Sequence, residues 1–316
     1  MLKVGMVGLG GISGAHVNGW LNLPQAKIAA VCDIRPGQLI APMKKTGAVG
    51  YTDFDEMMSE QTLDIVDICL PTYLHSEYAV RAMKKGCHVL CEKPAGLQIA
   101  DIEREYQAAR TCGVQFMIAQ VLRFWPEYEF LKEAVEMQRL GKMLSGHMYR
   151  LNNMPGWSWD DWMKDESRSG LVPFDLHIHD LDFIVYAFGK PKNVTHYRAR
   201  TEKQDFIHAV YEFDGSFITC DSSWYTGGYP FGAGFRFQFE KGVIEYAGGA
   251  LTVYEEGKEK QRDVSGSRNE NGLGLPQSDG YEREIRYFAE KVESGMPITR
   301  VKEDELKTVL TILQNL

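Results

Sequence analysis

The sequence predicts an α/β protein: a doubly wound parallel sheet at the N-terminus, followed by an α+β domain with a largely antiparallel open sheet. Three observations carry this. The first 120 or so residues alternate short branched runs with helical segments, the pattern of βαβ units. A glycine-rich turn joins the first run to the first helix. Beyond it the alternation stops, and two helical segments give way to strand-like pieces. The 316 residues allow about two domains, placed at 1–121 and 122–316.

Lys3–Val7 is a short apolar run ending in glycines, and Ser13–Leu23 reads as a helix stopped by Pro24. Ile28–Cys32 is apolar again and closes at Asp33. Ile65–Leu70 is closed by Pro71, and Ser76–Lys85 is helical with Gly86 as terminator. Val89–Cys91, a helix over Ile99–Arg110 ending near Gly113, and Val114–Ala119 complete the first domain. In the second, Pro126–Leu140 is helical up to Gly141, and Phe174–Phe188 is helical up to Gly189 and Pro191. Strands follow at Ala209–Phe213, Ser216–Ser222, Phe235–Glu240 and Val243–Tyr246, with Asp214-Gly215 as a two-residue hairpin turn. Glu255–Gly280, rich in charge, Gly and Ser, reads as a solvated loop.

Composition excludes several classes. Hydrophobic residues at 44% and charged residues at 25% match a soluble globular chain, not a disordered or fibrous one. With 43 acidic against 35 basic residues the net charge is −8, so the basic footprint of a nucleic-acid binder is missing. No apolar run approaches the ~18 residues of a membrane span. Val4–Ile12 superficially looks like a signal core, yet its four glycines fit a strand and turn better. The six cysteines contain no C-x-x-C pair, and Cys32, Cys69 and Cys91 lie in or beside strand-like runs. They read as small buried hydrophobes in a reducing compartment, which places the protein in the cytoplasm.

Gly8-Leu9-Gly10-Gly11-Ile12-Ser13 carries the first candidate site. It follows the dinucleotide fingerprint G-x-G-x-x-G, with Ser13 at the third glycine position. The first glycine permits a tight turn; the second lets the main chain approach a pyrophosphate seated on helix N-terminal amides, including those of Gly11 and Ile12. Asp33 ends the second strand twenty residues after Ser13, where an acid holds a ribose 2′-hydroxyl. That acid favours NAD, while Arg35 leaves NADP open. A plain glycine turn with a surface Asp is the competing reading.

Cys91-Glu92-Lys93-Pro94 follows the strand at Val89. Ligands in doubly wound sheets bind beyond the carboxyl ends of the strands, so Lys93 points toward the cofactor crevice. Pro94 biases Lys93 away from helical dihedrals. The bland alternative is an exposed Glu–Lys pair. In the segment from Asp175, a helical count of about 100° per residue puts His179 near 40° and Asp182 near −20° on one polar stripe. Ile178, Leu181, Ile184, Val185 and Phe188 fall between about 180° and 300°, with His177 near 200° among them. His177 therefore packs inward. The two imidazoles of His177-Ile178-His179 diverge by about 160°, which argues against a metal-binding pair, and no metal site is predicted.

These residues resemble those of the glucose–fructose oxidoreductase and inositol dehydrogenase family, Gfo/Idh/MocA. The matching positions are the glycine turn with His16, Asp33, Pro71-Thr72 with His75, and Glu92-Lys93-Pro94. Further on come Arg123-Phe124 with Pro126, Ser169-Gly170, Asp175, His179 and Asp182. The resemblance covers most of the chain and implies a Rossmann domain for the N-terminal half. It implies that Lys93, Asp175 and His179 are catalytic, and that Pro71, Thr72, His75, Glu92 and Lys93 line the NAD site. Hydride passes between the nicotinamide and a substrate carbinol. His179 is then the general base, Lys93 donates to the developing alkoxide, and Asp175 orients His179. The resemblance also implies a homodimer or homotetramer through the second domain's sheet. Family members often run slightly beyond the equivalent of Leu316, which implies an incomplete last helix.

The substrate expected is a small polyhydroxylated ring. Trp157-Ser158-Trp159-Asp160-Asp161-Trp162 supplies flat apolar faces and carboxylates just before the catalytic segment, and Arg123 is a further candidate contact. Core or interface anchoring explains the tryptophans equally well, and ion pairing explains Arg123. The function expected is an NAD(P)-dependent dehydrogenase of a cyclic polyol, sugar or sugar derivative. Two rivals stand beside it: a redox-neutral, NAD-dependent glycoside-cleaving enzyme of the same family, and a non-catalytic dinucleotide sensor. A pure binder has no need for Lys93, Asp175 and His179 together.

Overall fold

The structure is a computed structural model describing residues 1–255, 257–262 and 279–316. The chain divides into two compact units, the first comprising Met1–Val121 with a late segment ending at Leu306. The second begins at Leu122 and includes Lys307–Leu316.

The first unit opens with β1 (Leu2–Val7), α1 (Ser13–Leu21), β2 (Ala26–Cys32), α2 (Pro36–Thr46), β3 (Val49–Tyr51) and α3 (Phe54–Glu60). It continues with β4 (Ile65–Ile68), α4 (His75–Lys84), β5 (His88–Glu92), α5 (Ile99–Cys112) and β6 (Phe116–Ala119). Local chemistry sets the helix ends. Pro36 pre-sets the first turn of α2, and Gly47 ends it in the left-handed region at φ 72°. The Asp53 side chain caps α3 by accepting from the Glu56 amide, while Gln98 and Asp101 form a reciprocal capping box on α5. The six strands are all parallel in the order β3-β2-β1-β4-β5-β6, with β4 entirely buried and β5 buried but for half-buried His88. Apolar runs such as Ile65-Val66 and Val89-Leu90-Cys91 are what a sheet covered on both faces requires.

The second unit contains α6 (Pro126–Glu136), β7 (Met143–Asn153), α7 (Glu166–Ser169), α8 (Ile178–Phe188), β8 (Asn193–Arg200), β9 (Asp205–Phe213) and β10 (Ser216–Tyr225). It adds β11 (Gly232–Phe239), β12 (Gly242–Ala247), β13 (Ala250–Glu255) and β14 (Lys258–Arg262). These form one eight-stranded sheet, ordered β14-β13-β12-β11-β7-β10-β9-β8. Every neighbouring pair is antiparallel except β7 with β10. The predicted hairpin is present: Phe213 pairs with Ser216 across Asp214-Gly215, with Gly215 at φ 73°. The chain then returns to the first unit through α9 (Gly280–Ser294), which packs on α1, and α10 (Glu303–Leu313) spans the last boundary, at Leu306/Lys307.

Three sequence expectations change. The helix predicted over Pro126–Leu140 ends at Glu136, because the chain turns at Gln138 in the left-handed region at φ 49°. The helix predicted over Phe174–Phe188 begins as a π turn, Pro173–His177, before α8. The solvated loop expected over Glu255–Gly280 contains the edge strand β14, and residues 263–278 lie outside those described. Among the described residues no helix is long and apolar enough to cross a membrane.

Candidate active site

The glycine turn, Asp33, Pro71-Thr72 and Lys93 all follow the carboxyl ends of parallel strands in the first unit, after β1, β2, β4 and β5. Gly8 sits at φ 85°, and a Cβ there would stand 2.6 Å from the Cys69 carbonyl oxygen, so the turn demands glycine. Gly10 is different: no heavy atom lies within 4 Å of where its Cβ would be. The fold does not need that glycine for its own packing, and the space suits the close approach of a dinucleotide backbone. The Leu9 amide donates to Asp33 Oδ2 at 2.8 Å, tying the turn to the second strand.

Arg35 grips the same carboxylate, its Nε donating to Oδ1 and its Nη2 to Oδ2, each at 2.9 Å. Burial works to raise the Asp33 pKa, but the hydrogen bonds from Arg35 and the Leu9 amide outweigh it and hold the carboxyl below its usual range. Asp33 is thus an oriented anion, as a ribose-hydroxyl acceptor must be.

Lys93 is half-buried directly after β5, and its main-chain nitrogen donates to Glu92 Oε2 at 3.0 Å. The Lys93–Pro94 peptide is cis. Glu92 and His75, expected to line the cofactor, are instead turned into the fold. Glu92 is buried with Oε1 3.0 Å from His16 Nε2. The His75 ring places Nδ1 2.7 Å from the Pro94 oxygen and Nε2 2.6 Å from that of Leu70. Burial lowers the His75 pKa, so the neutral ring donates its single N–H to one of these two carbonyls and sits between the Pro71-Thr72 loop and the Lys93-Pro94 turn. Thr72 is buried at the start of a short 3-10 turn.

In the second unit, Asp175 and His179 are half-buried, one in the π turn and the other in the first turn of α8. Trp224, from β10, donates its indole N–H to Asp175 Oδ2 at 3.3 Å. His177 packs inward as expected, with Nδ1 2.9 Å from Ser222 Oγ, and burial drives its pKa down to about 3. Asp182 does not share a polar stripe with Asp175 and His179. It is buried and takes two hydrogen bonds from Arg123, Nε to Oδ2 at 2.8 Å and Nη2 to Oδ1 at 2.7 Å. The 100° count does not hold from Asp175, which lies in the π turn; within α8 about 60° separates half-buried His179 from buried Asp182, enough to give the two different surroundings. The substrate contact expected of Arg123 gives way to this pair: its guanidinium is fully buried, 4.5 Å from the Tyr186 ring centroid.

Trp157 is 60% exposed and Trp162 half-buried, so both offer indole surface. Asp160 and Asp161 are engaged within the segment, by Arg168 at 2.9 Å and Lys164 at 2.7 Å respectively. Sequence reasoning missed Asp67, which accepts from Trp20 Nε1 at 2.6 Å and faces His16. Its signal was available: a carboxylate inside the buried strand Ile65-Val66-Asp67-Ile68 requires a partner. Trp224 had no such signal, since an indole in a strand is ordinary core. His16, Asp67 and Cys69 form a compact, wholly buried group, already internally hydrogen-bonded.

A family model described as "Oxidoreductase family, NAD-binding Rossmann fold" matches residues 2–120, and one described as "GFO/IDH/MocA C-terminal domain" matches residues 128–245. Among curated relatives, 2,7-anhydro-N-acetylneuraminate hydratase of Escherichia coli is 31% identical over 200 residues, 62% of this chain and 52% of its own. Myo-inositol 2-dehydrogenase of Thermotoga maritima is 30% identical over 60% of this chain and 55% of its own. The chain thus spans about half the length of these relatives. An oxidoreductase from Agrobacterium radiobacter, solved with NAD+, L-tartaric acid and magnesium, superposes with a TM-score of 0.86. It covers 99% of this chain and 94% of its own at 18% identity, a likeness of fold. The first unit is an NAD-binding Rossmann domain.

Proposed function

Since the chain belongs to the Gfo/Idh/MocA family of oxidoreductases, we propose that it is an NAD(P)-dependent dehydrogenase acting on a carbinol of a cyclic polyol, sugar or sugar derivative. The observation that carries this reading is the placement of Lys93 after β5, on the same strand-end edge as the glycine turn and Asp33. A dinucleotide-binding domain that presents a lysine there holds a cation where an alkoxide develops. The relative named myo-inositol 2-dehydrogenase supports the substrate class.

When bound, NAD supplies the hydride acceptor. His179 takes the proton of the substrate hydroxyl, a general-base task to which an imidazole is suited around neutral pH. Lys93 donates a hydrogen bond to the oxygen as negative charge grows on it. Asp175, itself steadied by the Trp224 indole, orients His179. Trp157 and Trp162 offer flat surfaces to a sugar ring. The protein works in the cytoplasm, in keeping with its six free cysteines, five of them buried. It assembles as a homodimer or homotetramer through the second unit's sheet, in keeping with exposed Tyr197 and Phe217 on β8 and β10.

The test is reduced-nicotinamide formation with NAD or NADP across inositols, hexoses and sugar derivatives, repeated with Lys93→Met. The variant is expected to keep dinucleotide affinity and lose roughly 10²–10⁴-fold in turnover. Unchanged turnover removes Lys93 from the chemistry. A redox-neutral reaction is the second reading, favoured by the relative named as a hydratase. It predicts product release from glycosides or anhydro-sugars without net reduction of the nicotinamide.

A further inference from the structure

His16, on α1, has no exposed surface. Its Nδ1 lies 3.0 Å and 2.9 Å from the two oxygens of Asp67 on β4, and its Nε2 lies 3.0 Å from Glu92 Oε1 on β5. The ring therefore bridges two carboxylates. Each carboxylate also accepts from a second group: Trp20 Nε1 donates to Asp67 Oδ2 at 2.6 Å, and the Lys93 amide donates to Glu92 Oε2 at 3.0 Å. Around them stand the Cys69 thiol, 3.8 Å from Asp67 Oδ1, the Tyr281 ring of α9, with centroid 6.0 Å from that of His16, and His75 and Lys93 on the Glu92 side.

An ionised carboxylate only accepts hydrogen bonds, and a neutral imidazole has a single N–H to give. With a neutral ring, one of the two buried carboxylates would face a bare nitrogen lone pair, a costly arrangement at low dielectric. A doubly protonated ring satisfies both and places a positive charge between two negative ones. The electrostatics agree. Burial by itself would lower the imidazole pKa, but the charge of Asp67, with Cys69 and the hydrogen bond to Asp67, overcomes that and holds it well above the usual value. Glu92 shows the reciprocal effect: burial would raise it, yet the bond and charge of His16 keep it below its ordinary range.

We propose that His16 is a positioning residue for the reaction site: a buried imidazolium that anchors Glu92, and through it the main-chain nitrogen of Lys93, to Asp67. It touches neither substrate nor cofactor. Its bearing on turnover rests on the dehydrogenase reading above, whereas its charge and its hold on Lys93 do not. The chain Trp20–Asp67–His16–Glu92–Lys93 links α1, β4 and β5 beneath the Glu-Lys-Pro turn. A residue carried on a turn gains its precision from such supporting contacts, and a displacement near 1 Å costs about 10²-fold in rate.

The test uses the full-length protein labelled with ¹⁵N-histidine, with His16→Leu removing both donors and His16→Gln keeping one. In the wild type, one histidine, absent from both variants' spectra, is expected to keep two protonated ring nitrogens at about pH 8, where an ordinary imidazole titrating near ~6.5 is neutral. The Lys93 amide is expected to exchange its hydrogen at least about 10-fold faster in His16→Leu. On an active substrate, kcat should fall about 10²-fold in His16→Leu, and less in His16→Gln, while NAD affinity stays within about 3-fold. In a Lys93→Met background the His16 substitution should change kcat by less than about 2-fold, because its effect runs through Lys93. A singly protonated His16 ring at pH 7, unaltered Lys93 exchange, or losses that add independently of Lys93 would each overturn the proposal. If no panel substrate turns over with wild type, the dehydrogenase reading fails, and the ring protonation and amide exchange still decide the role of His16.

Discussion

Gly8 and Gly10 stand two residues apart and do different jobs. Alanine at Gly8 meets the Cys69 carbonyl and a disallowed φ, so Gly8→Ala is expected to destabilise the protein by more than about 1 kcal/mol in chemical denaturation. Alanine at Gly10 meets nothing of the protein, so Gly10→Ala should leave the melting temperature unchanged and weaken NAD binding in a calorimetric titration. Equal thermal losses in both variants would undo this distinction. Glu105, on α5, is wholly buried, and burial followed by the nearby charge of Asp101 pushes its pKa well up. The folded state therefore holds this proton more tightly than the unfolded state, whose Glu titrates near ~4.3. Its contribution to stability is full below that value and lost as pH rises through the folded pKa. Glu105→Gln should accordingly stabilise more at pH 8 than at pH 4 in thermal melts, and a pH-independent difference would contradict it. The placement of the glycine turn, Asp33 and Lys93 directly after strands was legible in the sequence, because apolar runs closed by these residues mark the strand ends. Arg123 and His75 were not, because their partners lie 59 and 19 positions away and decide between a site and a structural role.

Among elements, five of the six parallel strands were plain because burial on both faces writes them as continuous apolar runs, whereas β3, three residues long with Val49 exposed, was missed. The strand β7 left no such trace. Its inward positions include Gly146, Met148 and Arg150, and the last is buried against Asp180, with Nη2 3.0 Å from Oδ1. A buried ion pair and a glycine erase the apolar alternation that would have revealed it. The glycine has its own cause: a Cβ at Gly146 would stand 2.4 Å from the Phe237 ring. The π turn before α8 was equally invisible, since composition does not distinguish one extra residue per turn from an ordinary helix start. That segment is held by Asp182, paired with Arg123 in the 3-10 turn Val121–Phe124. Because both charges are fully desolvated, Arg123→Met is expected to cost about 3–5 kcal/mol by leaving Asp182 uncompensated. The double variant Arg123→Met/Asp182→Leu should recover much of that loss in urea denaturation.

For the whole molecule, the broad eight-stranded sheet leaves Tyr197 73% and Phe217 46% exposed on β8 and β10, which supports assembly there. Phe217→Glu with Tyr197→Glu should shift the protein to monomers in sedimentation analysis while leaving its circular dichroism unchanged. A wild-type monomer, or an unaffected oligomer, would move the interface elsewhere. The late return of α9 to α1 has a bearing on how the protein comes into being. Asn22 donates to Glu282 across 260 positions of chain, and Gly19 lies where a Cβ would touch Ile285. At about 5–20 residues per second, a ribosome needs roughly 13–50 s to deliver that partner after α1 has emerged. Throughout that interval the nascent Rossmann half waits with one helix uncovered, so a chaperone that shields α1 would be acting as a placeholder for α9.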